Sequence, residues 1–266
     1  MRLLSCLVAL ALASPLCAAP KKILLIGQGS DGHPPTTHEF RAGVRVIAEC
    51  LKKYDNLDVT VVSADGAWKE GPELIGRSDC VLLYVSQGYR WMQQSDERMA
   101  AFRELAKRGG GLLGLHWAVG TKDPKFIPEG LKLLGGCHGG PDRRYKVLTT
   151  KLAPAEVEHP VLAGVKALEV KDEFYYSLKF AQPAEQITPV MTALINDKPE
   201  TVAWAWRRPD GGRSFGFTGL HFHANWARPE YRRLVTQAVL WAAKEPIPDG
   251  GADVDIPEDV LKLEAK

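Results

Sequence analysis

The sequence predicts an α/β protein whose core is a mostly parallel β-sheet. Two short, almost wholly apolar runs, residues 22–27 (KILLIG) and 79–86 (DCVLLYVS), are typical of strands buried on both faces. Stretches with helical spacing of apolar residues alternate with such runs, and this alternation favours parallel strands joined by helices. The chain has 266 residues, of which 45% are hydrophobic and 25% charged, an ordinary globular composition.

The first half of the chain supplies most of this alternation. Thr36 and Glu39 have the spacing of a capping box. A helix is predicted here because apolar residues then recur at helical spacing at Phe40, Val44, Ile47, Ala48 and Leu51. A second helix is predicted between a cap at Ser95 and a stop at Gly109, and the residues before it, 87–94, are predicted as a loop. Strands are predicted at 22–27, 57–63, 79–86 and 111–115.

The second half is richer in strands. Its last regular element is a predicted helix over residues 228–243, and residues 246–266 are polar and proline-bearing, which is typical of a tail. Cys137 lies in a glycine-rich stretch that is predicted as a loop. Strands are predicted at 144–150, 168–176, 187–194, 201–207 and 213–220.

The N-terminus has the pattern of a secretory signal peptide over residues 1–19. Arg2 precedes an apolar run, residues 3–12, that is too short to span a bilayer, and small residues suited to cleavage follow it. We therefore expect an exported protein, periplasmic or extracellular, whose folded domain covers residues 20–245. No later run is long and apolar enough for a membrane helix.

Charge and cysteine content exclude some classes of protein. The net charge is +2 and the positive residues are not clustered, which argues against a nucleic-acid partner. Beyond the predicted signal peptide the chain keeps Cys50, Cys80 and Cys137, an odd number that predicts no disulfide framework. Cys50 and Cys80 fit the core, whereas Cys137, next to His138, leaves a metal or nucleophile role open.

Candidate chemistry lies where two strands end. His116 follows the strand at 111–115, and His221 and His223 follow the strand at 213–220. Because ligands gather at the carboxyl ends of parallel strands, we expect these histidines to converge in one cleft. Imidazole is both the side chain that titrates near neutral pH and the commonest metal ligand, but single histidines are more often structural.

An acidic pair, Asp172-Glu173, is the candidate carboxylate. Strand neighbours point to opposite faces, so at most one of the two should reach a shared site directly. The other would act as a cap, an ion-pair partner or an orienting group, and a solvated acidic edge is the alternative for both. The glycine-rich loop at 28–35 does not match a dinucleotide-binding fingerprint, so no nucleotide cofactor is expected.

Short motifs spread over residues 21–245 resemble the ThuA-like (trehalose utilisation) family. They are GGGLLGLH at 109–116, LLGG at 133–136, HP at 159–160, DEFY at 172–175, VAW at 202–204 and GLH at 219–221. The resemblance implies a class I glutamine amidotransferase-like fold, which is a flavodoxin-like three-layer sandwich. In those amidotransferases the turn that matches residue 116 carries the catalytic cysteine, so His116 makes cysteine-dependent glutamine hydrolysis unexpected here.

The resemblance also implies a role in carbohydrate metabolism. We expect an exported enzyme, a hydrolase or isomerase, that acts on a sugar or keto-sugar derivative through His116, His221 and Glu173. The same three residues are the expected ligands if zinc or another divalent metal is bound. A non-catalytic sugar-binding module using the same cleft is the alternative, and a homo-oligomer stays open. Expected substrate contacts are Tyr89, Trp117, His159, Asp172, His223 and Trp226.

Overall fold

The computed structural model describes residues 19–263, so the predicted signal peptide lies, apart from residue 19, outside the described residues. Six α-helices are formed in this part of the chain: α1 (Phe40–Leu51), α2 (Gly71–Gly76), α3 (Gly88–Gln93), α4 (Asp96–Lys107), α5 (Ile127–Leu134) and α6 (Pro229–Ala242). Within it, no helix is long and apolar enough to cross a bilayer.

Twelve strands are formed within the same residues. They are β1 (Lys21–Gly27), β2 (Leu57–Ser63), β3 (Cys80–Tyr84), β4 (Gly111–Leu115), β5 (Gly120–Thr121), β6 (Gly136–Gly139), β7 (Arg144–Pro154), β8 (Leu168–Tyr176), β9 (Lys179–Phe180), β10 (Ile187–Ile195), β11 (Lys198–Arg207) and β12 (Arg213–Phe217).

Nine of these strands form one sheet in the order β2-β1-β3-β4-β12-β11-β10-β7-β8. The strands from β2 to β12 in this order pair in parallel. The strands from β12 to β8 pair antiparallel. The predicted α/β class is confirmed, and the sheet is mixed because the second half of the chain returns through hairpins rather than helices. One hairpin turns at Asn196 and Asp197, which both have the positive φ that a tight hairpin turn requires.

Helices cover both faces of the parallel half of the sheet, which gives the three layers. Because strand side chains alternate, Ile23 and Leu25 of β1 join the core formed with α1 and α6, where Val235 is buried. Leu24 and Ile26 join the core on the opposite face, with α2 to α5.

Three segments differ from the sequence-based expectation. Residues 88–93, predicted as a loop, form α3, because Tyr89 and Met92 gain full burial as a helical face. Cys137 lies in the short strand β6 rather than in a loop, and it is buried. The tail packs on the domain, and its Val254 is buried with Cys50 of α1.

Candidate functional site

His116 and His221 meet at the carboxyl edge of the sheet, as the sequence predicts. They follow β4 and β12, which are adjacent parallel strands. The Nδ1 atom of His221 lies 3.2 Å from the Nε2 atom of His116. His116 is fully buried and has a φ of 49°, the left-handed backbone of a sharp turn after the strand.

A third histidine, His38, completes the cluster. Its Nε2 atom lies 3.0 Å from Nε2 of His116. The loop after β1 carries it there, held by a hydrogen bond from the His38 backbone N–H to the carbonyl of His221 and by a two-residue bridge between Thr37 and Phe222. The sequence places His38, with His33, after the first strand and so at its carboxyl end, but gives no periodic signal that assigns His38 to the site.

Hydrogen bonds fix which ring nitrogens carry protons. Nδ1 of His116 lies 2.8 Å from the carbonyl of Thr218, which only accepts, so Nδ1 is the donor and Nε2 holds a lone pair. Nδ1 of His38 lies 2.9 Å from a carboxylate oxygen of Asp31, so its Nε2 also holds a lone pair. The two lone pairs face each other, and this arrangement favours a shared cation.

A proton is not favoured as that cation at His116. Burial, together with the neighbouring His38 and His221, holds the pKa of His116 well below its usual value. Burial also lowers the pKa of His38, against the opposing effect of Asp31, and it lowers the pKa of His221 to about 4. These histidines are therefore neutral at physiological pH, which is the state that binds metal ions.

The three nitrogens fit a divalent metal. The ligand nitrogens of His38, His116 and His221 lie within 4.8 Å of one another. Around a tetrahedral zinc ion with bonds of about 2.0–2.1 Å, ligand nitrogens stand about 3.4 Å apart, close to the 3.0 and 3.2 Å found between these rings. The Asp31 carboxylate and the Thr218 carbonyl orient two of the rings from behind, as in known histidine metal sites.

Glu173 stands beside the three nitrogens. Its Oε1 atom is 3.8 Å from both Nε2 of His116 and Nδ1 of His221. Burial and then the charge of Asp172 raise the pKa of Glu173 to about 7. A carboxyl group with this pKa can both accept and release a proton near neutral pH. The expected metal ligands were His116, His221 and Glu173. In the structure His38 supplies the third nitrogen, and the Glu173 carboxylate lies slightly farther from Nε2 of His116 than His38 does.

Asp172 points away from the cleft and holds the loop that carries His221. It is fully buried, and its carboxylate accepts hydrogen bonds from the backbone N–H of Leu220 (2.7 Å) and of His221 (3.0 Å) and from the hydroxyl of Tyr231 (2.9 Å). Leu220 has a φ of 77°, so this clamp stabilises a strained turn. Asp172 is therefore not placed to contact a substrate as expected, and instead it holds the turn that carries His221.

Tyr175 links the three histidines to the rest of the cleft. Its hydroxyl lies 3.0 Å from Nε2 of His116, and its ring stacks on the rings of His116 and His138, with centroids 4.7 and 3.8 Å apart. Tyr175 belongs to the DEFY motif, two residues beyond Glu173 on β8, so strand alternation was a signal that could have found it.

A cleft of about 210 Å³ opens beside this centre. His38, Glu173 and Tyr175 line it, whereas His116 and His221 do not, contrary to the expectation that these two histidines face the cleft. Trp117 is the only one of the expected aromatic contacts that lines it, and Tyr145, which is 58% exposed, stands at its mouth. The lining residues are His33, His38, Trp117, Lys122, His138, Arg143, Tyr145, Glu173 and Tyr175.

Four expected substrate contacts lie elsewhere. The rings of Tyr89 and Trp226 are fully buried, the Tyr89 hydroxyl bonding the carbonyl of Gly136, so neither can stack on a sugar. His159 packs against Trp241 of α6. His223 points to the tail, where its Nε2 donates to the carbonyl of Leu261 at 2.9 Å.

The fold and this edge define an α/β sandwich protein with a buried three-histidine centre. The sequence model of the ThuA family, described as trehalose utilisation, matches residues 24–242, and the chain belongs to that family. A search of curated proteins gives no match.

Two solved structures of ThuA-like proteins share this fold. A ThuA-like protein of Bacteroides uniformis is 15% identical, over 87% of this chain and 95% of that chain, with a TM-score of 0.64. A ThuA-like protein of Parabacteroides merdae is 17% identical, over 90% and 94%, with a TM-score of 0.62. A glutamine amidotransferase of Thermotoga maritima is 10% identical, over 86% and 100%, with a TM-score of 0.48.

Proposed function

We propose that this protein is an exported enzyme that acts on a sugar or keto-sugar at a divalent metal centre, zinc being the best fit. The family gives the carbohydrate-related role. The observation that carries the proposal is the convergence of three neutral imidazole nitrogens, two of them oriented from behind by Asp31 and Thr218. A metal bound there would supply a Lewis acid able to polarise a carbonyl or hydroxyl oxygen of the substrate.

Glu173 is the proton-transfer group of the proposed reaction. It is 13% exposed on its side chain and lines the cleft, so it can reach a substrate beside the three nitrogens. Both a hydrolase and an isomerase need a group that takes a proton and returns it. The Tyr175 hydroxyl can donate a hydrogen bond to a substrate oxygen from the same side, and Trp117 and Tyr145 supply aromatic walls.

The cysteines do not offer a competing nucleophile among the described residues. Cys50, Cys80 and Cys137 are all buried. Burial raises the pKa of the Cys50 thiol to about 11 and that of Cys137 to about 12, and it raises that of Cys80 further. A reactive cysteine needs the thiolate, so these environments support chemistry through the histidines and Glu173.

Metal content tests the centre. We expect purified protein, stripped with chelator and reloaded with zinc, to hold one ion per chain by mass spectrometry of metals. The variants His38→Ala and His221→Ala should lose it, while His159→Asn, a change at a histidine that packs on Trp241 of α6 outside the cleft, should keep it. Wild-type protein that binds no zinc, or a His38→Ala variant that binds as much as wild type, would overturn the metal centre.

The alternative is a sugar-binding module without turnover. It is separated from the enzyme by Glu173→Gln, which keeps the shape of the side chain and removes its proton transfer. We expect this variant to bind sugar as wild type does and to lose turnover of disaccharides and keto-sugars by about 10²-fold or more. Sugar binding by both proteins with turnover by neither supports the binding module.

A further inference from the structure

We infer that the substrate carries an anionic group, a carboxylate or a phosphate, which Lys122, Arg143 and His138 bind in the cleft. The inference rests on the proposed function, because it names the substrate class of the same site. Lys122 follows β5, His138 lies in β6 and Arg143 precedes β7. The parallel pairing of Gly120 with His138 brings the first two together, and all three residues line the cleft.

The two cations, Lys122 and Arg143, lack carboxylate partners among the residues the structure describes. The neighbouring acids are engaged elsewhere, since Asp123 pairs with Lys125 at 3.2 Å and Asp142 pairs with Lys179 at 2.8 Å. The side chain of Arg143 donates to one backbone carbonyl, that of Gly140, at 3.0 Å. A guanidinium carries five donors, so most of its hydrogen-bonding capacity is left for a ligand.

His138 adds a buried polar atom with no partner. The residue is 3% exposed, and its Nδ1 atom makes no hydrogen bond. Its ring is held between defined neighbours, stacked on Tyr175 and tilted against Trp117 at 5.4 Å. Buried unpaired polar atoms are rare in folded proteins, and one in the wall of a cleft points to a ligand that supplies the partner.

The cleft lining holds more positive than negative side chains. Glu173 is the one carboxylate in the lining and lies beside the three histidine nitrogens, whereas Lys122 and Arg143 are two cations of the same lining. Burial, followed by the charges of Arg143 and Lys179, lowers the pKa of His138 to about 3, as expected in a positive local field. Such a field attracts an anion and orients a sugar so that its uncharged end meets Glu173.

Binding measurements with three probes test the inference. Glucuronate carries a carboxylate, glucose 6-phosphate a phosphate, and glucose neither. By calorimetric titration of the full chain we expect at least one anionic sugar to bind about tenfold or more tightly than glucose, with an affinity that falls as salt is raised. The preferred probe distinguishes a sugar acid from a sugar phosphate. Glucose bound as tightly as both would overturn the inference.

Variants locate the binding group. Lys122→Met and Arg143→Gln should each weaken binding of the preferred anionic sugar about tenfold and leave glucose affinity unchanged. Lys125→Met, a neighbouring surface lysine outside the cleft, is the matched control and should change neither affinity. An unchanged affinity for the anionic sugar in both cleft variants would overturn the inference.

The titrations are repeated on chelator-treated protein, and zinc content is measured for the cleft variants. If chelator-treated protein still binds the anionic sugar more tightly than glucose, the result supports this inference. It does so even if the metal analysis contradicts the metal centre. A zinc-loaded enzyme that turns over neutral sugars and shows no anion preference would overturn this inference alone and leave the proposed function standing.

Discussion

Burial keeps several histidines of this protein neutral, including His159, far from the cleft. Burial and then the charges of Arg207 and Arg213 lower the pKa of His159 to about 4 from a usual 6.5. Its ring packs on Trp241 while Nδ1 accepts a hydrogen bond from the backbone N–H of Val161. Below pH 6.5 His159 binds a proton in the unfolded chain but not in the folded chain. The free energy of unfolding therefore falls as pH falls from about 6.5 toward 4.

Replacing His159 with asparagine should remove part of this acid sensitivity. Asparagine retains an acceptor for the Val161 N–H, so the local turn is preserved. Between pH 7.5 and pH 5, we expect the unfolding free energy of wild type to fall by on the order of 1 kcal/mol more than that of His159→Asn, after allowance for partial exposure. Urea titrations of both proteins at the two pH values measure this, and equal losses would contradict it.

Residue alternation predicted part of the site correctly. The statement that Asp172 and Glu173 point to opposite faces is confirmed, since Asp172 is fully buried behind the site and Glu173 lines the cleft. His38 could not be assigned in the same way. It lies in a polar loop without periodicity, and positive φ angles at Thr36 and His38, which no residue type there demands, turn it inward.

The clamp that Asp172 forms is a property of the connection between β12 and α6. Asp172→Asn leaves one side-chain oxygen where the carboxylate accepts from the backbone N–H groups of Glu173, Leu220 and His221, so a buried donor loses its partner. We expect a loss of about 2 kcal/mol in unfolding free energy and weaker zinc binding, because the turn bearing His221 relaxes. Chemical denaturation and metal titration measure the two effects.

Tyr231→Phe is the control for this prediction. It removes the hydrogen bond from the Tyr231 hydroxyl to the same carboxylate but leaves the backbone partners in place. The expected loss of stability is about 1 kcal/mol, and zinc affinity should stay at the wild-type level. Equal effects of the two variants on zinc affinity would show that the clamp does not position His221.

Helix α5 packs so closely on α3 that there is no room for a Cβ atom at Gly130. A Cβ atom at Gly130 would lie 2.0 Å from the ring of Tyr89. Gly130→Ala should therefore destabilise the protein by about 1–3 kcal/mol, although alanine is the better helix former. Gly76→Ala at the end of α2 meets nothing within 4 Å and should be neutral or stabilising. Thermal denaturation compares them, and a stable Gly130→Ala variant would contradict this packing.

The helices and strands differ in how accurately their positions can be predicted from the sequence. The strands β1 and β2 were predicted within one residue because their apolar runs are short and bounded. Helix α3 was missed because six residues are too few to be helical on their own, and packing under α5 stabilises it. Strand direction in the second half was also undetermined, since alternation along a strand is the same for parallel and antiparallel neighbours.

At the scale of the whole molecule, the tail is part of the folded domain. Val254 is 1% exposed, and its carbonyl accepts a hydrogen bond from Nε of Arg232 in α6 at 2.9 Å. The side chain packs with Cys50 of α1. The segment predicted as a polar tail therefore closes the gap between two helices of the outer layer.

A charge introduced into this packed segment should open it. Val254→Asp buries an unpaired carboxylate, and we expect a loss of about 3 kcal/mol together with faster labelling of Cys50 by a thiol reagent. Asp253→Asn alters the neighbouring exposed residue, which pairs with Lys53 at 2.7 Å, and should change stability by less than about 1 kcal/mol. Unchanged labelling of Cys50 in Val254→Asp would contradict the docked tail.

The left-handed backbone at the centre has a consequence for descent within the family. His38, His116 and Leu220 have φ angles of 52°, 49° and 77°, conformations that cost a residue with a Cβ atom of order 1 kcal/mol or more. Selection for folding alone would fill these positions with glycine or asparagine. Family members that lack the three-histidine centre should therefore carry those residues here, and members that retain the centre should keep the costly ones.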